Sequence, residues 1–211
     1  MRTQHSRGFS LLELLIVLGI IFVITSSSII IFQAVQNATA VNSANSMVLR
    51  EIQVARQLAV DQRCVAHLSF NANGTLPETA GQGTMLIQLT KAGVTTSYEA
   101  PQILPIGVQF TTFAGMPVTT STPSGIPPDS FGTGANAIDF GTDFGGGKTD
   151  IYFQPNGTAL DAASGGQINN GVVYFGRPGV PSTARAVSLM GATGRVKGWR
   201  LVSTAGGLQW K

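Results

Sequence analysis

Charged side chains are scarce in this chain: Lys, Arg, Asp and Glu together make up 11% of its 211 residues. Its single cysteine, Cys64, excludes an intramolecular disulfide, and we expect it to be a buried apolar residue at the start of a strand. A catalytic Cys64 would need a nearby histidine base, for which His67 is the one candidate outside the N-terminal residues 1–8. Because the sequence has no pattern of a catalytic triad, a carboxylate pair or a zinc site, we predict a protein that is not an enzyme and uses no cofactor or metal.

Proline is absent from residues 9–63, so one helix can run through this whole segment. Within residues 9–35 the only charged residue is Glu13, and most other side chains are apolar. Residues 36–63 are mixed, and their apolar residues recur at steps of three and four, as on one face of a helix. These residues are Ala38, Val41, Ala44 or Asn45, Val48, Ile52, Ala55 and Ala59. We therefore predict a helix with a hydrophobic first half, residues 9–35, and an amphipathic second half, residues 36–63.

Residues 64–211 show the alternating apolar pattern and the glycine- and proline-rich turns of antiparallel strands. The predicted strands are 64–70, 85–89, 94–98, 108–113, 150–154, 171–175, 184–190 and 195–202, and residues 114–149 are predicted to form a long loop. A helix followed by strands predicts an α+β fold. In it, the second half of the long N-terminal helix packs on the antiparallel sheet of a β-rich globular head.

A short basic leader precedes the apolar segment and ends at Gly8. A secretory signal peptide is cut at small residues after its apolar core, whereas here the small residue comes before the core. Cleavage between Gly8 and Phe9 would therefore leave the apolar helix on the mature protein.

The block Gly-Phe-Ser-Leu-Leu-Glu at residues 8–13, followed by an apolar run, resembles the processing site of type IV pilins and type II secretion pseudopilins. The resemblance implies that residues 1–8 are a leader peptide removed by a prepilin peptidase, which then methylates the new N-terminus at Phe9. It implies that Glu13 pairs with the charged N-terminus of a neighbouring subunit during assembly. It also implies a single-pass protein of the bacterial inner membrane, with its head in the periplasm, that enters a filament with other such subunits.

A membrane-anchored binding domain that never polymerises is an alternative of a different class. Residues 9–32 would form about 36 Å of helix, which is enough to span a bilayer. A carboxylate in lipid costs roughly 2.5–3.5 kcal/mol or more. A plain anchor therefore leaves Glu13 unexplained, unless its side chain reaches the membrane interface.

Three features are similar to the minor pilins and pseudopilins of the GspH/FimT type. They are the helical residues 55–59, the strand and turn at residues 151–157, and the segment Gly-Arg-Val-Lys at residues 194–197. The resemblance implies a minor pilin or pseudopilin, a structural subunit of a type IV pilus-like or type II secretion filament. The sequence does not choose between these two systems.

Residues 162–211 contain no acidic side chain but six basic ones: Arg177, Arg185, Arg195, Lys197, Arg200 and Lys211. Arg195, Lys197 and Trp199 alternate along a predicted strand and share a face, whereas Arg200 lies on the other face unless a bulge brings it to theirs. In FimT-like minor pilins a Gly-Arg-x-Arg motif here is linked to DNA uptake, which implies a DNA-binding minor pilin as an alternative function. Lys197 stands in place of the second arginine. The interpretation we prefer is an edge strand that its charges protect from aggregation.

Two weaker patterns lie in the predicted loop. The run Gly-Gly-Gly-Lys-Thr at residues 145–149 is similar to a phosphate-binding loop, but Thr142 stands where that motif needs a glycine. Asp139, Asp143 and Asp150 lack the spacing of an EF-hand, so we expect solvated acids there rather than a calcium site.

Overall fold

A computed structural model describes residues 11–72, 81–117 and 128–211, apart from the side chains of residues 27–34. The chain divides into two compact units, residues 1–39 and residues 40–211. The predicted cleavage and methylation residues, Gly8 and Phe9, lie outside the described residues.

One helix, α1, spans Leu11–Gln62, as the absence of proline predicts. All of its side chains from residue 11 to residue 26 are exposed, and those of Leu11 and Phe22 are 83% and 74% exposed. The hydroxyls of Thr25 and Ser26 donate to backbone carbonyls one turn earlier, at 2.8 and 2.7 Å, so these polar groups are satisfied within the helix. Among the described residues, no helix combines the length and the apolarity needed to cross a membrane.

The part of α1 that belongs to the second unit is amphipathic. Its buried stripe consists of Val41, Ala44, Val48, Ile52, Ala55 and Ala59, which is the predicted face from residue 41 onward. Arg63 then adopts a φ of 49°, a left-handed conformation of the kind that ends helices, and the chain turns into the first strand. Cys64 is buried at this turn, as predicted.

The described residues after α1 contain twelve strands. These are β1 (Val65–Asn71), β2 (Thr84–Lys91), β3 (Val94–Ser97), β4 (Gln102–Ile103), β5 (Gln109–Phe110), β6 (Ile138–Phe140), β7 (Asp150–Phe153), β8 (Ala159–Leu160), β9 (Gly171–Gly176), β10 (Arg185–Met190), β11 (Arg195–Thr204) and β12 (Gly207–Trp210). All of their pairings are antiparallel. The α+β fold class is therefore confirmed.

The strands form two sheets, where the sequence analysis predicted one. The first sheet has the order β3-β2-β1-β7-β8, with β4 also paired to β2. The second has the order β12-β11-β10-β9-β5, with β6 also paired to β9. Alternation along single strands does not reveal which strands share a sheet, because that depends on long-range pairing.

Two apolar clusters explain why the second sheet is so deeply buried. The larger cluster joins the buried stripe of α1 to both sheets, through residues such as Leu68, Phe153 and Val187. The smaller cluster covers the opposite face of the second sheet and includes Tyr174 and Trp210. Strands β9 and β10 consequently have buried side chains on both faces.

The predicted loop at residues 114–149 is only partly irregular. It contains β6 and two short 3-10 helices, Pro128–Ser130 and Thr142–Phe144. Strands of two or three residues, such as β4, β6 and β8, are too short to produce a periodic pattern, which is why the sequence did not reveal them.

Candidate functional site

Glu13 lies in the first turn of α1, and its side chain is exposed. The apolar residues around it are exposed as well, at 70% for Leu12 and 56% for Leu14. In the described part of the chain Glu13 has no cationic partner. The Glu13 carboxylate thus lies within an exposed, otherwise apolar surface of the helix.

The basic tail residues lie on β11, whose pairing with β10 is regular from Arg195 to Arg200. Because successive side chains of a regular strand alternate between faces, Arg195, Lys197 and Trp199 share one face. Arg200 lies on the opposite face. Because residues 195–200 pair with β10 without a bulge, Arg200 stays on the face opposite the other three.

The side chains of Arg195, Lys197 and Trp199 all make contacts within the head. The indole N–H of Trp199 donates to Ser188 Oγ at 2.9 Å, and Ser188 Oγ in turn donates to Asp129. Asp129 also pairs with Arg195, at 3.4 Å between the guanidinium and the carboxylate. The ammonium of Lys197 stands 3.6 Å from the centre of the Trp199 ring, a cation–π contact.

Strand β11 is only partly an edge strand. From residue 200 onward it pairs with β12 and Lys211, but no described strand pairs with the outer edge of residues 195–199. Arg195 and Lys197 are exposed on this short open edge, where charges discourage pairing with another chain.

The three features that resemble GspH/FimT-type proteins meet at one place. Arg56 of α1 donates from Nε to the carbonyl of Gly157, in the turn after β7, at 3.2 Å. A Cβ at Gly194 would lie 2.3 Å from Arg56 Nε and 2.6 Å from Gly157 O. Gly194 also has a φ of 65°, which other residues rarely adopt. The helix, the turn and the closing segment are thus fixed to one another around one arginine side chain.

The glycine-rich run at residues 145–149 donates one hydrogen bond to a carboxylate of the protein itself. Asp139 is fully buried and accepts a hydrogen bond from Gly147 N at 2.8 Å. It also accepts bonds from the backbone N–H and the hydroxyl of Thr133, at 2.6 and 2.8 Å. The expectation that Asp139 is a solvated loop acid is therefore wrong, since its carboxylate anchors the loop from inside.

Asp143 and Asp150 have separate partners. Asp143 accepts a bond from the Asn170 side-chain amide at 2.6 Å. Asp150 contacts His67 Nε2 at 2.7 Å, and this hydrogen bond is the main reason that the pKa of Asp150 is lowered. Within the described ranges, no three acidic, histidine or cysteine side chains come together as a metal site would require.

His67 lies on the outer face of the first sheet, where neighbouring side chains hold its ring. Its second ring nitrogen contacts Gln88 Oε1 at 3.2 Å, and its ring stacks on Tyr152 with centroids 4.3 Å apart. Both ring nitrogens are thus engaged by residues other than Cys64.

Glu51 is a titratable residue that the sequence analysis missed. It belongs to the buried side of α1 and is 1% exposed. Its pKa is raised to about 7. Burial is the largest cause, the carboxyl of Glu99 contributes by repelling the charged form and by hydrogen bonding, and Arg50 opposes the rise. The sequence signal for its burial was its position beside Val48 and Ile52 on the helix. Its partner Glu99, 48 residues later, leaves no local pattern in the sequence.

Comparison with known proteins gives one match. Residues 3–29 match the family model of the prokaryotic N-terminal methylation motif. No curated protein and no solved structure matches the chain.

Proposed function

We propose that this protein, whose N-terminal methylation motif indicates the type IV pilin-like family, is a minor pilin or pseudopilin. In this role it is a non-enzymatic structural subunit of a type IV pilus-like or type II secretion filament. The observation that carries the proposal is the motif at residues 3–29, which from Leu11 onward lies in the helix α1. The motif implies processing by a prepilin peptidase, anchoring in the inner membrane and assembly with other pilins.

The exposure of the first unit supports assembly. Leu, Ile, Val and Phe side chains from residue 11 to residue 24 are 45–83% exposed. Such a continuous apolar surface is unfavourable in water and is typical of a surface that lipid or other proteins cover. In the proposed pathway lipid covers it first, and neighbouring helices cover it in the filament.

Glu13 has a defined role in this proposal. In lipid its carboxylate is costly, and near the methylated amino group of Phe9 in a neighbouring subunit it gains a counter-charge. Processing between Gly8 and Phe9 creates that amino group. The head then faces the periplasm, and its fold serves to present surfaces to the other subunits.

The GspH/FimT type is supported by the junction around Arg56. The three separate segments that resemble this type come into contact there through Gly157 and Gly194. Their convergence gives one structural reason for all three to occur in one chain.

DNA binding by the tail is the second candidate function. Its support is the exposure of Arg195 and Lys197 on the open edge of β11. The ion pair of Arg195 with Asp129 and the position of Lys197 over Trp199 both reduce what these residues can offer to a nucleic acid. In an electrophoretic mobility-shift assay, this candidate would be supported by binding of duplex DNA that weakens steeply with salt. The binding should disappear in the double variant Arg195→Gln with Lys197→Gln.

Incorporation of the variant Glu13→Leu into filaments tests the proposed function. We expect the variant to enter the membrane as well as the wild type or better, and to be strongly depleted from sheared or purified filaments, because the neighbour's amino group loses its counter-charge. Glu13→Asp keeps the charge and is the matched control, for which we expect substantial recovery. Normal incorporation of Glu13→Leu would show that Glu13 has no pairing role, and a wild type that never enters filaments would favour the non-polymerising anchor.

A further inference from the structure

Three basic residues form a row across the second sheet, on the face opposite Arg195. Arg185 of β10 is the register partner of Arg200 of β11. On the other side of Arg200, its backbone N–H bonds to Lys211 O at 2.7 Å and its carbonyl accepts from Lys211 N at 2.9 Å. Residues directly opposite each other on antiparallel strands point to the same face, with Cβ atoms about 4.5–5.5 Å apart. We call Arg185, Arg200 and Lys211 the basic row.

Arg185 is held in place by neutral groups only. Its side chain is buried, and its guanidinium donates to the carbonyls of Thr183 and Ala184 at 3.4 and 3.0 Å. It also donates to the side-chain oxygen of Asn42 on α1 at 3.0 Å. Burial lowers the pKa of Arg185, and the charge of Arg200 lowers it further. The guanidinium is therefore fixed in position while its charge is left uncompensated.

No carboxylate of the described residues pairs with any member of the basic row. The sequence around it has none to offer, since residues 162–211 lack Asp and Glu altogether. Arg195, on the other face of the same strand, does have such a partner in Asp129. Neighbouring like charges without a counter-charge are unfavourable, and an anion bound between them would relieve their repulsion.

A groove of about 400 Å³ opens beside Arg200. It is lined by Pro181, Ser182, Leu201, Val202, Ser203 and Leu208 together with Arg200. Four of these residues are apolar and two carry hydroxyls. Of the basic row, Arg200 alone lines this groove, so the groove offers mainly apolar wall beside one cation, whereas a nucleic-acid backbone would need further cations along its path.

We propose that the basic row binds the phosphate of an amphiphilic ligand of the phospholipid class, and that the groove beside Arg200 accepts the adjoining apolar part. Two guanidiniums and an ammonium match a phosphate group, which has several acceptor oxygens, better than a single carboxylate. Arg185 supplies a preorganised donor, and the exposed side chains of Arg200 and Lys211 close on the ligand. This inference is independent of whether the protein polymerises.

Calorimetric titration of the full chain in uncharged detergent tests the proposal. The probes are short-chain phosphatidylglycerol, short-chain phosphatidylcholine and inorganic phosphate. We expect phosphatidylglycerol to bind most tightly, and Arg200→Gln to weaken its binding at least tenfold. Arg195→Gln removes the same charge from the other face of the same strand and is the matched control, for which we expect less than a twofold change.

The other possible outcomes of the titration would overturn part or all of the proposal. Inorganic phosphate binding as tightly as phosphatidylglycerol, with the same loss in Arg200→Gln, would support a phosphate site and overturn its amphiphilic part. Absence of binding by all three probes, or equal losses in Arg200→Gln and Arg195→Gln, would overturn the basic row as a site. Circular dichroism of both variants separates a lost site from a lost fold.

Discussion

The two halves of α1 share leucine, isoleucine and valine but differ in whether these side chains are buried. Ile20 is 55% exposed in the first unit, whereas Ile52 is fully buried against the sheets of the second. The second half is one component of a core that the chain completes by itself. The side chains of residues 11–26 in the first half are exposed and belong to no such core among the described residues. An apolar run therefore indicates burial somewhere, and the fold decides whether the covering groups belong to the same molecule.

The pair Ile52→Ala and Ile20→Ala tests this comparison with the same substitution in the same helix. We expect Ile52→Ala to lower the free energy of unfolding of the head by about 2–5 kcal/mol, because it leaves a cavity in the core. Ile20→Ala should change it by less than about 0.5 kcal/mol, as surface substitutions do. Denaturant unfolding in detergent, followed by tryptophan fluorescence, measures both. Equal losses in the two variants would show that the first half belongs to the cooperative unit of the head.

A smaller effect concerns the buried Glu51. Its pKa is about 7 in the folded protein against an ordinary value of 4.5. Between these pH values the folded protein holds more protons than the unfolded chain, so stability falls as the pH rises from about 4.5 to about 7. We expect Glu51→Gln to remove this decline and to be more stable than the wild type above pH 7 by about 1–3 kcal/mol.

Asp61 provides the control for Glu51, because it is an exposed acid on the same helix. The free energy of unfolding of Asp61→Asn should change with pH in the same way as that of the wild type. If the free energy of unfolding of Glu51→Gln also changes with pH as that of the wild type does, from pH 4 to pH 8, the Glu51 carboxyl does not titrate as described. Incorporation into filaments should be unaffected by either substitution, since neither touches the first unit.

The features that could be predicted from the sequence are those that produce a pattern over a few consecutive residues. The absence of proline and the steps of three and four predicted α1 and its buried stripe, and alternation located the longer strand β1. The glycine before the apolar run located the methylation motif. Each of these signals lies within a few consecutive turns or residues, so no knowledge of the fold is needed to detect it.

The features that were missed depend on contacts between distant residues. Division into two sheets follows from pairing across the whole head. Asp129 reaches Ser188 and Arg195 from a loop more than fifty residues earlier, and Glu51 meets Glu99 across a similar separation. The glycine-rich run at residues 145–149 matches the pattern of a phosphate-binding loop only in part, and in the fold the backbone N–H of Gly147 donates to the chain's own Asp139. Residue types indicate what chemistry is available, while only the fold shows which groups already satisfy one another.

The most direct test of the account is the mass of the mature N-terminus, measured on protein from a bacterial host that has a prepilin peptidase. We predict a mature chain that begins at Phe9 and carries one N-terminal methyl group. Gly8→Val should retain the leader, because a bulky side chain prevents close approach of the backbone to the peptidase. A mature chain that begins beyond residue 24 would remove the apolar first half from the mature protein and would contradict the account.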